Sequence, residues 1–545
     1  MSFGNDIPEF AMLPAKDPEE QITVPAAEDL KWDSIKVTKL VEPERITFTM
    51  EEDVLVPDTH PDMKEILMID GRAVLDECEL EMERNGKGEA CGIIELQVLY
   101  MPEKAEENQL PLDVKTGLRF RQNVLDGSAG MGKIWLDASV VSVESMIINE
   151  RKYRVKINVS IAVSRFETWE REIFQSIEGE DMEYLKEKVE ICDASDRVRD
   201  VLEISEELGA GEDVRPVKIL RQDIQVIENY RQAASEKVVI NGFIMVSVMY
   251  CGQDGNDDSE NQMVRQLQEK VEFTQFIPLQ NHAQWQASRA VYDTSDLKVK
   301  LTDEDSQMCS FMLEGSLVTR VALIKSVEKE LVVDAYHRKK DFICDYERLD
   351  SPVYSGVASG ETGVREIISF DEETDTVEGV CFVCGNVTQV SCRMEGGKPV
   401  AEGSVKVKVL CRRSGGGYAV CRKELPFRCV LSSGQPAGGD SVRADAFIKE
   451  IWAEKITGKQ LEVNLSMNVQ AFMMKESGSR VVRKPAFRDC GKVEETSPVI
   501  IYVAKEGDTA WSIARKFKTG KLSICEYNNV ENEEISAGKK LLIMR

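Results

Sequence analysis

The sequence predicts a mainly β chain: three repeated antiparallel β-rich, sandwich-like domains followed by a small βααβ domain. Three observations carry this expectation. A strand pattern opening on glycine occurs three times, and its flanking segments return with it at a spacing of roughly 150 residues. Over roughly the last fifty residues the apolar pattern switches from period two to helical spacing.

The repeated strand begins at Gly92 and continues with Ile94, Leu96, Val98 and Tyr100 on one face. It returns as Gly242 with Ile244, Val246, Val248 and Tyr250, and as Gly403 with Val405, Val407, Val409 and Cys411. Such alternation marks a half-buried strand. Upstream lie Met63–Leu67, Pro216–Leu220 and Val364–Ile368, where the spacing predicts short helices around 62–67 and its counterparts. Downstream sit Phe120, Phe273 and Phe427, and each unit closes with a further apolar run, such as Val155 to Val163 or Leu461 to Val469. Asn85-Gly86, Asp254-Gly255 and Gly415–Gly417 read as turns. The boundaries drawn from this are a flexible acidic segment over 1–31, repeated domains over 32–187, 188–330 and 331–477, a linker over 478–497 and the terminal domain over 498–545.

Composition narrows the function classes. The 545 residues hold 69 Lys and Arg against 96 Asp and Glu, a net charge of −27, which argues against partners that need basic surface, nucleic acid and anionic membrane. Residues 1–30 lack a basic start and an apolar core, and no run approaches the ~20 apolar residues that span a bilayer. A soluble cytosolic chain is expected, its 14 cysteines kept as thiols. Residues 167–213 hold 17 acidic and 5 basic side chains, read as a solvated connecting face or a docking strip for a basic partner.

Candidate chemistry is sparse. Cys381 and Cys384 form a CxxC, with Cys392, Cys411, Cys421 and Cys429 as further thiols, but no second CxxC and no nearby His complete a zinc set. Residues three apart on a strand also point to opposite faces. His60 stands in an acidic loop without a counterpart in the second unit, and His282 and His337 are equally unrepeated. No phosphate-binding loop and no nucleophile context is recognisable. The expectation is a protein that is not an enzyme, with no catalytic, cofactor or metal residues.

In the last segment Ile500–Val503 reads as a strand, Gly507-Asp508-Thr509 as a turn whose Asp508 or Thr509 caps a helix, and Ala510, Ile513, Ala514 and Phe517 as that helix's apolar face. A second helix holds Leu522, Ile524 and Tyr527, and Leu541–Ile543 forms the returning strand. With Tyr502, Val503, Trp511, Ser512, Asn528, Ile535 and Gly538, this segment resembles the LysM module. Ala510 stands where that family usually has Leu, and Ala537-Gly538-Lys539 where Pro-Gly-Gln is common. The resemblance implies a shallow groove for N-acetylglucosamine polymers or for a protein partner, formed by Gly507, Asp508, Thr509, Ala510, Trp511, Ile513, Asn528, Asn529, Val530 and Ile535. A small Ala510 is expected to open the floor of that groove. Trp511 falls off the main apolar stripe and is read either as a partner contact or as core.

The repeated units, through Val56-Pro57-Asp58, Pro61–Leu67, the glycine-initiated strand and Val332–Tyr336, resemble the SPOCS domain of endospore-forming Firmicutes. SPOCS repeats followed by LysM resemble spore-coat morphogenetic proteins. That resemblance implies a non-enzymatic scaffold in the mother-cell cytoplasm at the forespore surface and spore coat. Its LysM module would bind the coat's basement-layer ATPase, a stage IV sporulation protein A-like partner, with other coat proteins, a second copy or a GlcNAc polymer as further candidates. The alternative is a peptidoglycan-binding wall protein or a module associated with a hydrolase.

Overall fold

The computed structural model describes residues 22–81, 87–103, 109–126, 133–209, 214–234, 236–254, 262–279, 284–302, 310–369, 376–433, 441–488, 498–530 and 535–544. His282 and the turn residues Asn85, Gly86 and Gly255 lie outside these. Strands dominate, and all the pairings are antiparallel.

Each repeated unit is two facing sheets. In the first, Leu30–Leu55, Lys152–Ile177 and Lys133–Asn149 pair in that order and face a sheet of Met63–Leu75, Lys87–Pro102 and Leu112–Asp126. The second sets Met182–Leu208 and Phe311–His337 against Val214–Ala233, Lys237–Asp254 and Gln262–Pro278. The third sets Asp341–Ser369, Gln460–Arg488 and Ser441–Thr457 against Val377–Glu395, Lys398–Arg413 and Tyr418–Val430. The repeated strand is the middle one of each smaller sheet, so its alternating face is buried along its length: Ile94, Leu96 and Val98; Ile244, Val246 and Val248; Val405, Val407 and Val409.

The glycine and the downstream phenylalanine prove to be one device. Gly92 pairs directly with Phe120, Gly242 with Phe273 and Gly403 with Phe427. A Cβ on Gly403 would stand 2.1 Å from the Gln389 carbonyl oxygen and 2.7 Å from the Phe427 ring; on Gly92 it would stand 2.3 Å from the Val74 oxygen and 2.8 Å from Phe120. Neighbouring backbone and, in these two units, a covering ring occupy the space a side chain would need.

Two sequence expectations are corrected. No helix forms at 62–67: Met63–Leu75 is a strand, with register shifts between Met63 and Glu65 and between Ile66 and Met68. Pro216–Leu220 carries the same irregularity, and Val364–Ile368 is also strand. Bulges interrupt the period-two pattern and so imitate helical spacing. The expected linker over 478–497 is also shortened, because the last strand of the third unit runs on to Arg488; residues 489–497 lie outside the described part.

The cause is the length of the outer strands. Phe311–His337 has 27 residues and Gln460–Arg488 has 29, far beyond the usual ~5–6. Half of each builds its own sandwich, and the rest joins the other units. Ile35, Val37 and Ile173 of the first unit meet Val189, Ile191 and Leu331 of the second and Leu349 and Val481 of the third. The acidic stretch 167–213 therefore does not link domains loosely; it supplies the long strands ending at Ile177 and beginning at Met182.

A second three-way core joins the smaller sheets. Leu99, Met249 and Leu410, equivalent in the glycine frame, are buried together with their opposite residues Met68, Arg221 and Phe382. The units are thus arranged cyclically, each touching the other two. Asp70 collects a charge from both neighbours: Lys408 Nζ at 2.6 Å and the buried Arg221 guanidinium. Burial opposes ionisation of Asp70, yet the two cations hold its carboxyl below the usual range. Its counterpart in the second unit, Asp223, is pushed the other way by burial, beside a small cavity of about 30 Å³ that it shares with Ser247 and Cys384.

Candidate functional site

The C-terminal module is built locally. Thr509 caps helix α1 (Ala510–Phe517): its Oγ1 accepts from Ser512 N at 3.0 Å, while Ser512 Oγ accepts from Thr509 N at 3.0 Å. Asp508 instead stiffens the turn, accepting from Lys505 N at 2.8 Å and Tyr502 Oη at 2.9 Å, which lowers its pKa. Gly507, at φ +83°, supplies the left-handed turn conformation. Helix α2 (Lys521–Asn528) follows, and the strands Val499–Val503 and Lys540–Met544 pair antiparallel from Val499 with Met544 to Val503 with Lys540.

The ten expected groove residues divide between surface and core. Gly507 and Asn529 are exposed, and Asp508, Thr509, Asn528 and Val530 are half-buried. The two loops do meet: Ile535 N donates to the Asp508 carbonyl at 3.2 Å. Asn528 is an internal strut, tying the end of α2 to the returning strand through Leu542 O at 2.8 Å and Leu542 N at 2.6 Å. Ala510, Ile513 and Ile535 lie in the core with Ala514, Ile524, Leu541 and Ile543. Ala510 is fully buried, so its short side chain does not open a groove floor.

Trp511 is buried at 7 % exposure, but its neighbours belong largely to another unit. Its ring packs on Tyr336 of the second unit, centroids 4.9 Å apart, and its Nε1 donates to Asp334 Oδ2 at 2.9 Å. Arg515 Nη1 donates to the same oxygen at 2.7 Å, while Asp334 Oδ1 accepts from Tyr346 Oη at 2.8 Å. Tyr336 Oη donates to the Thr519 carbonyl at 2.5 Å, and Lys518 Nζ to the Lys340 carbonyl at 3.1 Å. The module is therefore clamped to the end of the long strand Phe311–His337. Asp334, Tyr336, Arg515 and Thr519 were missed as site residues. Val332–Tyr336 was singled out only as a family mark, and nothing local in the sequence pairs it with residues 511–519.

The module's sheet turns an apolar face outward. Val499, Ile501, Val503, Leu542 and Met544 are exposed, Ile501 at 72 %, and alternate with half-buried Ile500 and Tyr502 and buried Leu541 and Ile543.

Elsewhere the candidate chemistry settles into structure. A bulge at Cys381 places it with Phe382 and Cys384 against the same three-way core, not on opposite faces. Burial pushes both thiols up to about 11. His60 sits in a turn, its N donating to Pro57 O at 2.9 Å, and its carbonyl accepts from Arg151. His337 is buried: Nδ1 accepts from Lys339 N and Lys340 N at 2.8 Å each, and Nε2 lies 2.8 Å from Glu180 Oε2. Among the described residues, Asp62, Glu103 and Glu150 bring ligand atoms within 4.8 Å of one another, and Arg151 already engages Asp62 at 3.2 Å. A depression of about 640 Å³ between the second and third units is lined by Tyr250, Arg265, Glu378, Cys381, Tyr418 and Trp452, and burial keeps its one thiol, Cys381, protonated at neutral pH. No helix among the described residues is long and apolar enough to cross a membrane.

This architecture defines a class: a multidomain β protein with a small binding module docked at its end. The particular domains follow from comparison with protein families. Residues 502–543 match the LysM domain, and residues 216–302, in the second unit, match the family described as SipL, SPOCS domain. The chain thus joins a SPOCS domain of a sporulation family to a module from a glycan-binding family, both of them non-catalytic binding domains. Neither the curated proteins nor the solved structures searched give a match to this chain.

Proposed function

We propose that the chain is a non-enzymatic adaptor of spore-coat assembly. The three β units form the scaffold, and the LysM module contacts the coat's basement-layer ATPase, a stage IV sporulation protein A-like protein, in the mother-cell cytoplasm. The observation that carries this reading is the joining of a SipL SPOCS domain to a LysM domain in one chain. The outward apolar face of the LysM sheet supports a polypeptide partner, because rows of exposed apolar side chains on soluble domains mark contact surfaces. The mechanism is tethering: several weak contacts on one molecule raise effective concentration, so avidity exceeds single-site affinity by on the order of 10²–10⁴.

A second reading, glycan capture, is favoured by the meeting of the two LysM loops at Asp508 and Ile535, the walls of the expected groove. Two experiments separate them. A fluorescently tagged copy in sporulating cells is expected to form a ring around the forespore; a septal or wall signal in vegetative cells contradicts the adaptor reading. Titration with chitin oligomers is expected to give no micromolar binding, and micromolar affinity favours the glycan reading.

A further inference from the structure

The side of LysM that faces the body has a defined chemistry. Trp511 Nε1 and Arg515 Nη1 converge on one carboxylate oxygen. The Trp511 ring offers a face to an aromatic side chain, and the Thr519 carbonyl accepts a phenol proton. These features together fit an extended Asp-x-Tyr segment, because residues two apart on a strand project to the same side. In this structure the segment is the chain's own Asp334-Ala335-Tyr336.

We propose that this α1 face is a recognition surface for extended Asp-x-Tyr segments, occupied in cis by residues 334–336 and available to the same segment on a partner polypeptide once vacated. The inference rests on the reading that LysM contacts a polypeptide. Three observations support it. The contact is made of discrete polar anchors and one aromatic stack, the composition of a specific peptide site. Arg515 is 45 % exposed in its side chain, so water reaches the arginine end of the clamp, while Asp334, Trp511 and Tyr336 are buried by the contact. The occupying segment is also held in place by the body. It is paired with Met182–Leu208 near the end of its strand, and Ala335 is packed with Phe174, Ile177 and Val482, so it presents Asp334 and Tyr336 as a fixed strand when the module leaves.

A site filled in cis meets a competing segment at an effective concentration in the millimolar range. A partner's apparent affinity therefore falls by the fraction of molecules in which the site is vacant.

The test uses the full chain and a fluorescein-labelled peptide of residues 330–340. The wild-type chain is expected to bind the peptide weakly. The Asp334→Asn/Tyr336→Ala chain is expected to show faster hydrogen exchange over 510–517, reporting a vacated site, and to bind the peptide at least tenfold more tightly. Adding Arg515→Glu is expected to abolish that gain. Unchanged exchange over 510–517 overturns the proposal, as does a vacated site that fails to bind the peptide or binds it equally with Arg515→Glu. Should the double substitution unfold the chain, the wild-type protein is exposed to millimolar peptide. Accelerated exchange over 510–517 supports displacement, and unchanged exchange overturns it. The peptide titration reads this surface without the ATPase, so failure of the ATPase contact and failure of the peptide site are separate results.

Discussion

Two aspartates hold this molecule together, and they do so differently. Asp70, where the three smaller sheets meet, takes Arg221 from the second unit and Lys408 from the third. Met68, Leu99, Met249, Phe382 and Leu410 form the apolar core around it. Asp334, where LysM meets the body, takes Trp511, Arg515 and Tyr346; it is itself buried, but its arginine is 45 % exposed. Both carboxylates are covered, so it is the burial of the cations that separates the two sites. A buried charge that loses its partner has nowhere to be solvated, whereas an exposed one exchanges its partner for water at little cost. The first site is a permanent junction between units, and the second is suited to open.

The comparison can be broken at several points. The largest effect is expected from Asp70→Ala, which strands Arg221 and Lys408 in the three-way core and should cost about 3–5 kcal/mol. Urea denaturation checks it, and a loss no larger than that of Asp334→Ala would erase the distinction. Gly403→Ala forces a Cβ against the Gln389 oxygen and the Phe427 ring and should cost about 1–3 kcal/mol, read as a lowered Tm. Gly415→Ala, with open space around its Cβ, is the control and should leave Tm nearly unchanged.

Next comes pH, with opposite signs at the two equivalent carboxylates. Asp70 has a folded pKa below its unfolded value, so its contribution is present at neutral pH and is lost as pH falls through the folded pKa. Asp223 has a raised folded pKa, so its ionised form opposes folding at neutral pH and protonation relieves this. Asp223→Asn is therefore expected to raise stability at pH 7 and to lose that advantage in the acid range. Denaturation midpoints from pH 4 to 8 check the sign, and a variant less stable at pH 7 contradicts it. The smallest effect is expected at the outer clamp: Arg515→Ala should leave global stability within about 1 kcal/mol while speeding hydrogen exchange over 510–517.

Much of the fold was legible because its signals are local. The glycine-initiated strands alternate without interruption, and each glycine and its later phenylalanine are direct pair partners. The LysM segment carries its turn glycine, its cap at Thr509 and its apolar stripe within a short stretch. What stayed hidden required the third dimension. The bulges near Met63 and Cys381 broke the period on which face assignments rest. The convergence of Asp70, Arg221 and Lys408 depends on three units closing in a ring. Trp511, ambiguous from spacing alone, is resolved by Tyr336 and Asp334, which lie far away in sequence.

The role of LysM as the partner contact is tested most directly by capture of purified stage IV sporulation protein A-like ATPase. The full chain is compared with one ending at Glu495, which retains all three β units. The account predicts that the full chain retains the ATPase and the shortened chain does not. Equal capture by both would contradict it.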